Sequence, residues 1–526
     1  RAVTDAVMRA TTGGVKSPDV GFAQRWLVVA TSLSSSLALA LSGTITNVAV
    51  PDIMGAFGVG QDQAQWMATA FFAAMTAGML LSDWLTRTFG PRHVFVAMML
   101  MFFGASVAGG TAQTYLIVVL GRATQGLAAG IILPLTMMAM FAVFPPNRRA
   151  MVAGLFGISF VLGPGLGPWF GGIAIDLFDW RFTFYVALPV AFCSMMLASV
   201  VFPTRDRDAP RTHLDWFGFI LVATFLTATL TGLSNGQLKG WNSNFVMLCL
   251  GTGLGSAILF IAWELFVDDP IFDVRLLAHP RFAIANMVSF LFGATLFGSF
   301  YLQPVFVQLV QNYTPLRAGL VLVPGGLIMG LVLPLAGRTS DLVPPYIPLA
   351  VGFLLFTVSL WLMGFSDPNT AFITFAAIVG LGRIGQGMLF PPVTAVGLQA
   401  APPEKMGTAN GMLNFTRQMG GAFGINLLAI FIERRTSVYS EVLASTQTEA
   451  NSVTQGLLAT VRDMLATAGL PDVIEGSLAT LYLGRMVAAQ ATALAFQDTF
   501  FVFALVGLLA VVLSLALWSP FRRSGS

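Results

Sequence analysis

Of 526 residues, 56% are hydrophobic and only 10% charged, with a mean hydropathy of +0.79. A water-soluble chain carries about 25% charged residues, so 24 acids and 27 bases leave too little polar surface for water and the chain belongs in a bilayer. The net charge of +3 is small and dispersed, which excludes a nucleic-acid partner needing a clustered basic face, and the three histidines (His93, His213, His279) fall in separate polar linkers, which excludes a metal centre built on them.

About 20 apolar residues cross roughly 30 Å of hydrocarbon. Fourteen such runs follow in chain order, at 26–48, 64–82, 94–112, 115–143, 150–175, 182–202, 214–233, 244–266, 282–309, 316–335, 346–364, 370–398, 407–432 and 496–519. The segment from 433 to 495 is the one large polar piece. Leu457, Leu458, Val461, Met464 and Leu465 recur there at helical spacing, which predicts a helical excursion outside the membrane that returns continuously into the last span. Cys193 and Cys249 lie inside apolar runs, so no disulfide framework is supported.

An even number of spans puts both termini on one side, and the Lys/Arg bias selects the side. Alternate linkers and the termini hold 17 basic residues, among them Arg87, Arg92, Arg148, Arg205, Arg275, Arg338 and Lys405, against Arg181, Lys239 and Arg317 in the short opposite linkers. Both termini are therefore expected in the cytoplasm.

Internal repetition decides the architecture. Leu120-Gly121-Arg122, followed by Gln125-Gly126, recurs 261 residues later as Leu381-Gly382-Arg383, followed by Gln386-Gly387. Pro145-Pro146 with Arg148 recurs as Pro402-Pro403 with Lys405. The repeated runs are the fourth and fifth, and the twelfth and thirteenth. Eight spans separate equivalents where two tandem six-helix bundles would give six, so the seventh and eighth form an insertion. The expected organisation is a cytoplasmic segment 1–25, a six-helix bundle 26–202, an inserted two-helix linker 203–281, a second six-helix bundle 282–519 carrying the excursion 433–495, and a cytoplasmic tail 520–526.

With these features the chain resembles the major facilitator superfamily, and within it the 14-helix drug:proton antiporters of the EmrB and QacA type. Leu41-Ser42-Gly43-Thr44-Ile45-Thr46-Asn47-Val48-Ala49-Val50-Pro51 is similar to the first-helix motif L-D-x-T-I-V-N-V-A-L-P. Arg122 with Gln125 and Gly126 matches the fourth-helix motif, and Gly163, Gly167, Pro168, Gly171 and Gly172 the fifth-helix antiporter motif. The resemblance implies an all-α membrane protein with the major facilitator fold and 14 transmembrane helices (6+2+6). It implies proton-coupled efflux from a bacterial inner membrane, antibiotic resistance as a consequence, no cofactor, and a periplasmic adaptor with an outer-membrane channel as partners.

Two departures stand out. The first-helix aspartate of the family is Ser42 here. The loop after the second span, G-x-L-a-D-R-x-G-R in the family, has Asp83 at its glycine, Arg87 at its aspartate, and then Gly90 and Arg92; the second-half copy keeps Gly337 and Asp341. These positions form the expected conformational machinery together with the fifth-helix glycines. For the substrate and proton pathway the candidates are Ser42, Asn47, Gln65, Arg122, Gln125, Gln303, Arg383 and Arg417. An arginine at depth either faces a wet cavity or a partner or has its guanidinium capped by carbonyls, and the amides either orient an amphiphilic ligand or bridge helices. The fifth-helix glycines either only let helices touch or also bias the direction in which the transporter faces. The excursion either docks an adaptor or is a solvated hairpin.

The reading is a secondary active exporter of amphiphilic small molecules, whether drugs, weak organic acids or lipid-like anions, working by alternating access with proton antiport. Its rivals are a membrane-embedded enzyme and a dedicated lipid or siderophore exporter not coupled through a first-helix carboxylate. No G-x-x-x-x-G-K-[ST] phosphate loop is present, which disfavours an ATP-driven pump.

Overall fold

A computed structural model describes residues 22–517 apart from 47, 60, 65, 146–147, 203, 205–213, 269, 314, 403–404, 449 and 469–470. The expected segment 1–25, save its last four residues, and the tail 520–526 lie outside the described residues. So do Asn47 and Gln65.

Each of the fourteen apolar runs falls on helix. The stretch expected as the first bundle contains α1 (Phe22–Ile45), the short α2 (Val50–Phe57) and α3 (Gln61–Ala64), then α4 (Trp66–Phe89), α5 (Pro91–Gly110), α6 (Tyr115–Val143), α7 (Arg149–Leu177), and a 3-10 turn (Trp180–Phe184) leading into α8 (Leu188–Val201). The expected inserted pair is α9 (Trp216–Lys239) and α10 (Asn244–Phe266). The stretch expected as the second bundle contains α11 (Pro280–Leu309), α12 (Pro315–Leu342), α13 (Tyr346–Met363), α14 (Phe372–Gln399) and α15 (Met406–Ser445), then α16 (Ser452–Thr467) and α17 (Asp472–Ala516). Among the described residues, thirteen segments are long and apolar enough to cross a membrane; α7, with 29 residues, carries several side chains outside the described set.

Local chemistry sets several boundaries. Pro51 opens α2, and Gly58 closes it in the left-handed region at φ 64°, its amide returning to the Met54 carbonyl. Gly90 turns α4 into α5 at φ 84° and ψ 149°, a conformation open in practice to glycine, with Pro91 starting the next helix. The prolines inside α6, α11 and α14 do not break them: Pro134, Pro304, Pro391 and Pro392 all lie within continuous helix. Neighbouring helices hold these segments straight enough to span.

Glycines set the helix contacts, and the same contacts occur in both halves. On α6, a Cβ at Gly126 would lie 2.1 Å from the Phe71 carbonyl oxygen of α4, and one at Gly130 would lie 2.0 Å from that of Met75. In the second half Gly387 of α14 faces α12, with Val332 at 2.9 Å. The α1–α7 contact runs over Gly163, Gly167 and Gly171, against Ala40, Thr44 and Ile45. Its counterpart, α11–α15, runs over Gly293, Gly420 and Gly424, against Arg417, Phe290 and Ala294. Between the halves, α7 packs on α12 and α15 on α4, again equivalent pairs. The inserted α9 touches α4 of the first half and α15 of the second, with Ser234 donating to Asn426 at 2.8 Å.

Among the described residues, the apolar core is continuous between the halves at one end only. At the end bearing the 83–92 loop, Phe95, Phe141 and Phe156 of the first half share one cluster with Phe282, Phe353 and Phe390 of the second. At the opposite end the core separates. Ala49, Ile53, Met67, Val118, Trp180 and Phe184 form a cluster belonging to the first half, and Leu302, Phe306, Phe375, Phe496 and Phe500 another belonging to the second.

From that opposite end α15 and α17 project. At 1.5 Å per residue, helices of 40 and 45 residues are about 60 and 68 Å long, roughly twice the hydrocarbon thickness. Asp498 of α17 accepts from Arg435 and Tyr439 of α15 where the two leave the bundle, and α16 packs on the projecting part of α17. The expected excursion is thus two helix extensions and one separate helix.

Candidate functional site

The two repeat-related arginines are both buried, and each is built into a small network. Arg122 on α6 is fully buried. Its Nη1 donates to the Ser42 carbonyl at 2.9 Å and to Gln125 Oε1 at 3.0 Å, and its Nη2 to the Gly43 carbonyl at 3.4 Å. These carbonyls belong to the last turn of α1, where a helix leaves acceptors without intrahelical donors and its dipole is negative. Arg122 therefore caps α1. Gln125 is held in turn by donating to Ser106 of α5 at 2.8 Å, and the guanidinium lies 4.2 Å from the centre of the Phe71 ring.

Arg383 on α14 repeats the pattern with different acceptors. Its Nη1 donates to Gln386 Oε1 at 2.7 Å and to Ser299 Oγ at 3.2 Å, its Nη2 donates to Gln303 Oε1 at 2.8 Å, and it stacks 3.9 Å from the Phe300 ring. The repeat offset that relates Arg122 to Arg383 also relates Ser42 to Gln303. At this shared position the first half supplies a backbone carbonyl and the second a side-chain amide.

The third deep arginine is Arg417 on α15. It donates to Asn414, whose amide nitrogen reaches Asn410 on the same face, and its guanidinium lies 4.7 Å from the Phe390 ring. Phe390 also touches Phe156 of α7, so this polar row borders the contact between the halves. Asn410 is 1% exposed and its Nδ2 has no acceptor.

At the end where the halves meet, Arg87 grips Asp83 through two bonds, at 2.9 and 3.1 Å. The Asp83 carboxylate also accepts from Thr408 Oγ1 at 3.4 Å, and a Cβ at Gly407 would lie 2.5 Å from it. Both residues are in the first turn of α15, whose unpaired amides and positive dipole end favour an anion. The family's aspartate is displaced by one helical turn to Asp83, and a carboxylate still sits between the halves. Arg92 lies in the first turn of α5, half-buried. In the second-half copy Gly337 is buried in α12, and the side chain of Asp341 lies outside the described set, as does that of Pro168.

The structure brings together Ser42, Arg122 and Gln125 in one network and Gln303 and Arg383 in another, and holds Arg417 apart on α15. Of the alternatives the sequence left open for Arg122, the guanidinium is capped by carbonyls in this conformation, those at the end of α1. Of the antiporter-motif glycines, Gly163, Gly167 and Gly171 fit against α1, whereas a Cβ at Gly172 would meet nothing. Ser106 and Ser299 escaped the sequence reading; the pairing of Ser42 with Gln303 was accessible through the repeat offset.

Residues 33–425 match the profile of the Major Facilitator Superfamily. The chain belongs to that family; it is a multi-pass membrane transporter and not an enzyme. It is 26% identical over 503 residues to the multidrug export protein EmrB of Haemophilus influenzae, spanning 94% of this chain and 96% of that protein. It is 30% identical over 407 residues to the uncharacterized MFS-type transporter YcnB of Bacillus subtilis, spanning 77% and 85%. The human organic anion transporter MFSD10 (TETRAN) shares the fold, with a TM-score of 0.61 at 14% identity over 93% of this chain and 99% of that one.

Proposed function

We propose that the protein is a proton-coupled exporter of amphiphilic small molecules, working by alternating access in a bacterial inner membrane with both termini cytoplasmic. The helices group as bundles 26–202 and 282–519 around the insertion 203–281, α7 being the fourteenth span. The observation that carries the reading is the asymmetric core, joined at the end of the 83–92 loop and divided at the other. A transporter closed on one side and parting on the other has this form, and the glycine-lined α7–α12 and α15–α4 contacts are the surfaces on which its halves would rock. The likeness to EmrB supports drug export.

Ser42, Arg122 and Gln125 of the first half, Gln303 and Arg383 of the second, and Arg417 with Asn414 and Asn410 make up the pathway in this reading; Asn47 and Gln65 are its remaining candidates on the sequence pattern alone. Asp83, Arg87, Gly90, Arg92, Gly337 and Asp341 form the gates at the closed end, and Gly163, Gly167, Pro168, Gly171 and Gly172 the α7 surface that moves. Three arginines lie at depth, so the interior suits a neutral or anionic amphiphile better than a lipophilic cation. The projecting helices are the docking place for a periplasmic adaptor leading to an outer-membrane channel.

Purified protein in proteoliposomes tests the reading. A pH gradient should drive uptake of a fluorescent dodecanoate in preference to ethidium, and Arg417→Glu should abolish dodecanoate uptake. Preference for ethidium would overturn the substrate assignment. Indifference to the gradient would overturn proton coupling. Cysteine at Asp367 should react with impermeant reagents from outside and cysteine at Arg338 should not; the reverse would invert the topology. Deleting 450–480 should stop export by whole cells while sparing transport in vesicles, and loss of both would make the projection structural.

A further inference from the structure

We propose that Glu264 is a proton-binding site whose protonation controls how the inserted helix pair grips α15. The inference rests on the proton-coupled reading above and supplies a carboxyl that the first helix, with Ser42, lacks.

Glu264, near the end of α10, is fully buried. The other buried charges have partners: Arg122, Arg383 and Arg417 donate to carbonyl or amide oxygens, and Asp273 pairs with Lys405. Glu264 Oε2 accepts the Phe272 amide at 3.3 Å, while Oε1 is buried with no donor. Its neighbours are acids. Asp215 caps α9, accepting from Gly218 N and Trp263 Nε1, both at 2.9 Å. A Cβ at Gly218 would lie 2.3 Å from Asp215 Oδ2 and 2.8 Å from Glu264 Oε1, so the two carboxyls meet over that glycine.

The described cations nearest the site are engaged elsewhere. Arg275 donates to the Leu265 and Val267 carbonyls at 2.9 and 3.1 Å, Lys405 faces Asp273, and on α4 Arg87 is paired with Asp83. Among the described residues, an ionised Glu264 would therefore lie beside Asp215 and Asp273 without a counter-ion. A bound proton removes that repulsion and turns the acceptor into a donor.

The site is wired to α15. Phe272, whose amide Glu264 holds, packs its ring on Phe415 of α15 with centroids 5.6 Å apart, and on Phe260 of α10 at 6.2 Å. The next residue, Asp273, pairs with Lys405, the N-cap residue of α15. α15 meets Asp83 at its first turn and carries Asn410, Asn414 and Arg417. Loss of the proton sets Glu264 against Asp215 and Asp273 and loosens the segment that clamps α15; its return tightens the clamp.

Two measurements on the full-length purified protein test this. Infrared spectra of the wild type should contain a protonated-carboxyl carbonyl band that fades between mildly acidic and mildly alkaline pH, is absent from Glu264→Gln, and reappears at a shifted frequency in Glu264→Asp. In proteoliposomes the probe that the wild type accumulates, dodecanoate or ethidium, should be accumulated under a pH gradient by Glu264→Asp but only equilibrate in Glu264→Gln. No such band in the wild type, or gradient-driven accumulation by Glu264→Gln, would overturn the assignment. Wild-type transport indifferent to the gradient would instead sink the proton-coupled reading, a result distinguishable because it needs no variant.

Discussion

Arg122 and Arg383 occupy the same place in two copies of one bundle, yet they are satisfied by different chemistry. Arg122 takes carbonyls that the end of α1 leaves unpaired and needs no acceptor from the side chain at position 42. Arg383 lies beside α11 where that helix continues, and needs the side chains of Gln303 and Ser299. The difference shows how a family carboxylate can be replaced by serine without stranding the arginine beside it: the helix terminus supplies the negative end of a dipole in its place.

Substituting each arginine should produce the largest effect. Arg383→Met leaves Gln303, Gln386 and Ser299 without their shared donor and should lower stability by about 4 kcal/mol, whereas Arg122→Met loses the α1 cap and should cost about 2 kcal/mol. Thermal unfolding in detergent checks the order, and equal losses would erase the contrast. Lysine should rescue neither fully, since each guanidinium reaches several acceptors through its fork.

At the shared position itself, Gln303→Leu strands a donor of Arg383 and should cost about 2 kcal/mol, while Ser42→Ala keeps the accepting carbonyl and should stay within about 0.5 kcal/mol. A large Ser42→Ala effect would show that the hydroxyl matters. Next comes the glycine beside each arginine. Alanine at Gly126 meets the Phe71 backbone and should cost about 2 kcal/mol, because a helix must move, whereas at Gly387 the nearest atom is a Val332 methyl and the cost should be under about 1 kcal/mol.

A small stability effect is also expected for Asp83→Asn, since the Asp83–Arg87 pair is part-exposed and solvent-screened, about 0.5 kcal/mol. Its functional effect should be larger. With the charge over the first turn of α15 removed, the end bearing the 83–92 loop should open more often, read as faster alkylation of a cysteine placed at Gly411.

Hydropathy located the thirteen described helices long and apolar enough to span, because the bilayer forbids unpaired backbone and an apolar run of sufficient length has one solution. The expected continuous return into the last span is α17, whereas the continuation of α15 beyond the membrane, on sequence that is no longer uniformly apolar, was not read; Arg435, Tyr439 and Asp498 tie the two together where they leave the bundle. The repeat exposed Arg122 and Arg383 as equivalents, since both halves keep the arginine, glutamine and glycine that pack alike. Ser106 and Ser299 stayed hidden: a lone serine carries no periodic signal.

From the sequence alone follow a membrane-embedded all-α chain, two related halves with an inserted pair, and arginines too deep to be left unpaired, because length, hydropathy and repetition are local or linear properties. Which acceptors those arginines found, which end of the core is joined, and which acid was left without a cation were decided by tertiary structure. Each depends on residues hundreds of positions apart meeting in a space from which water is excluded, where the partner, rather than the residue type, sets the energy.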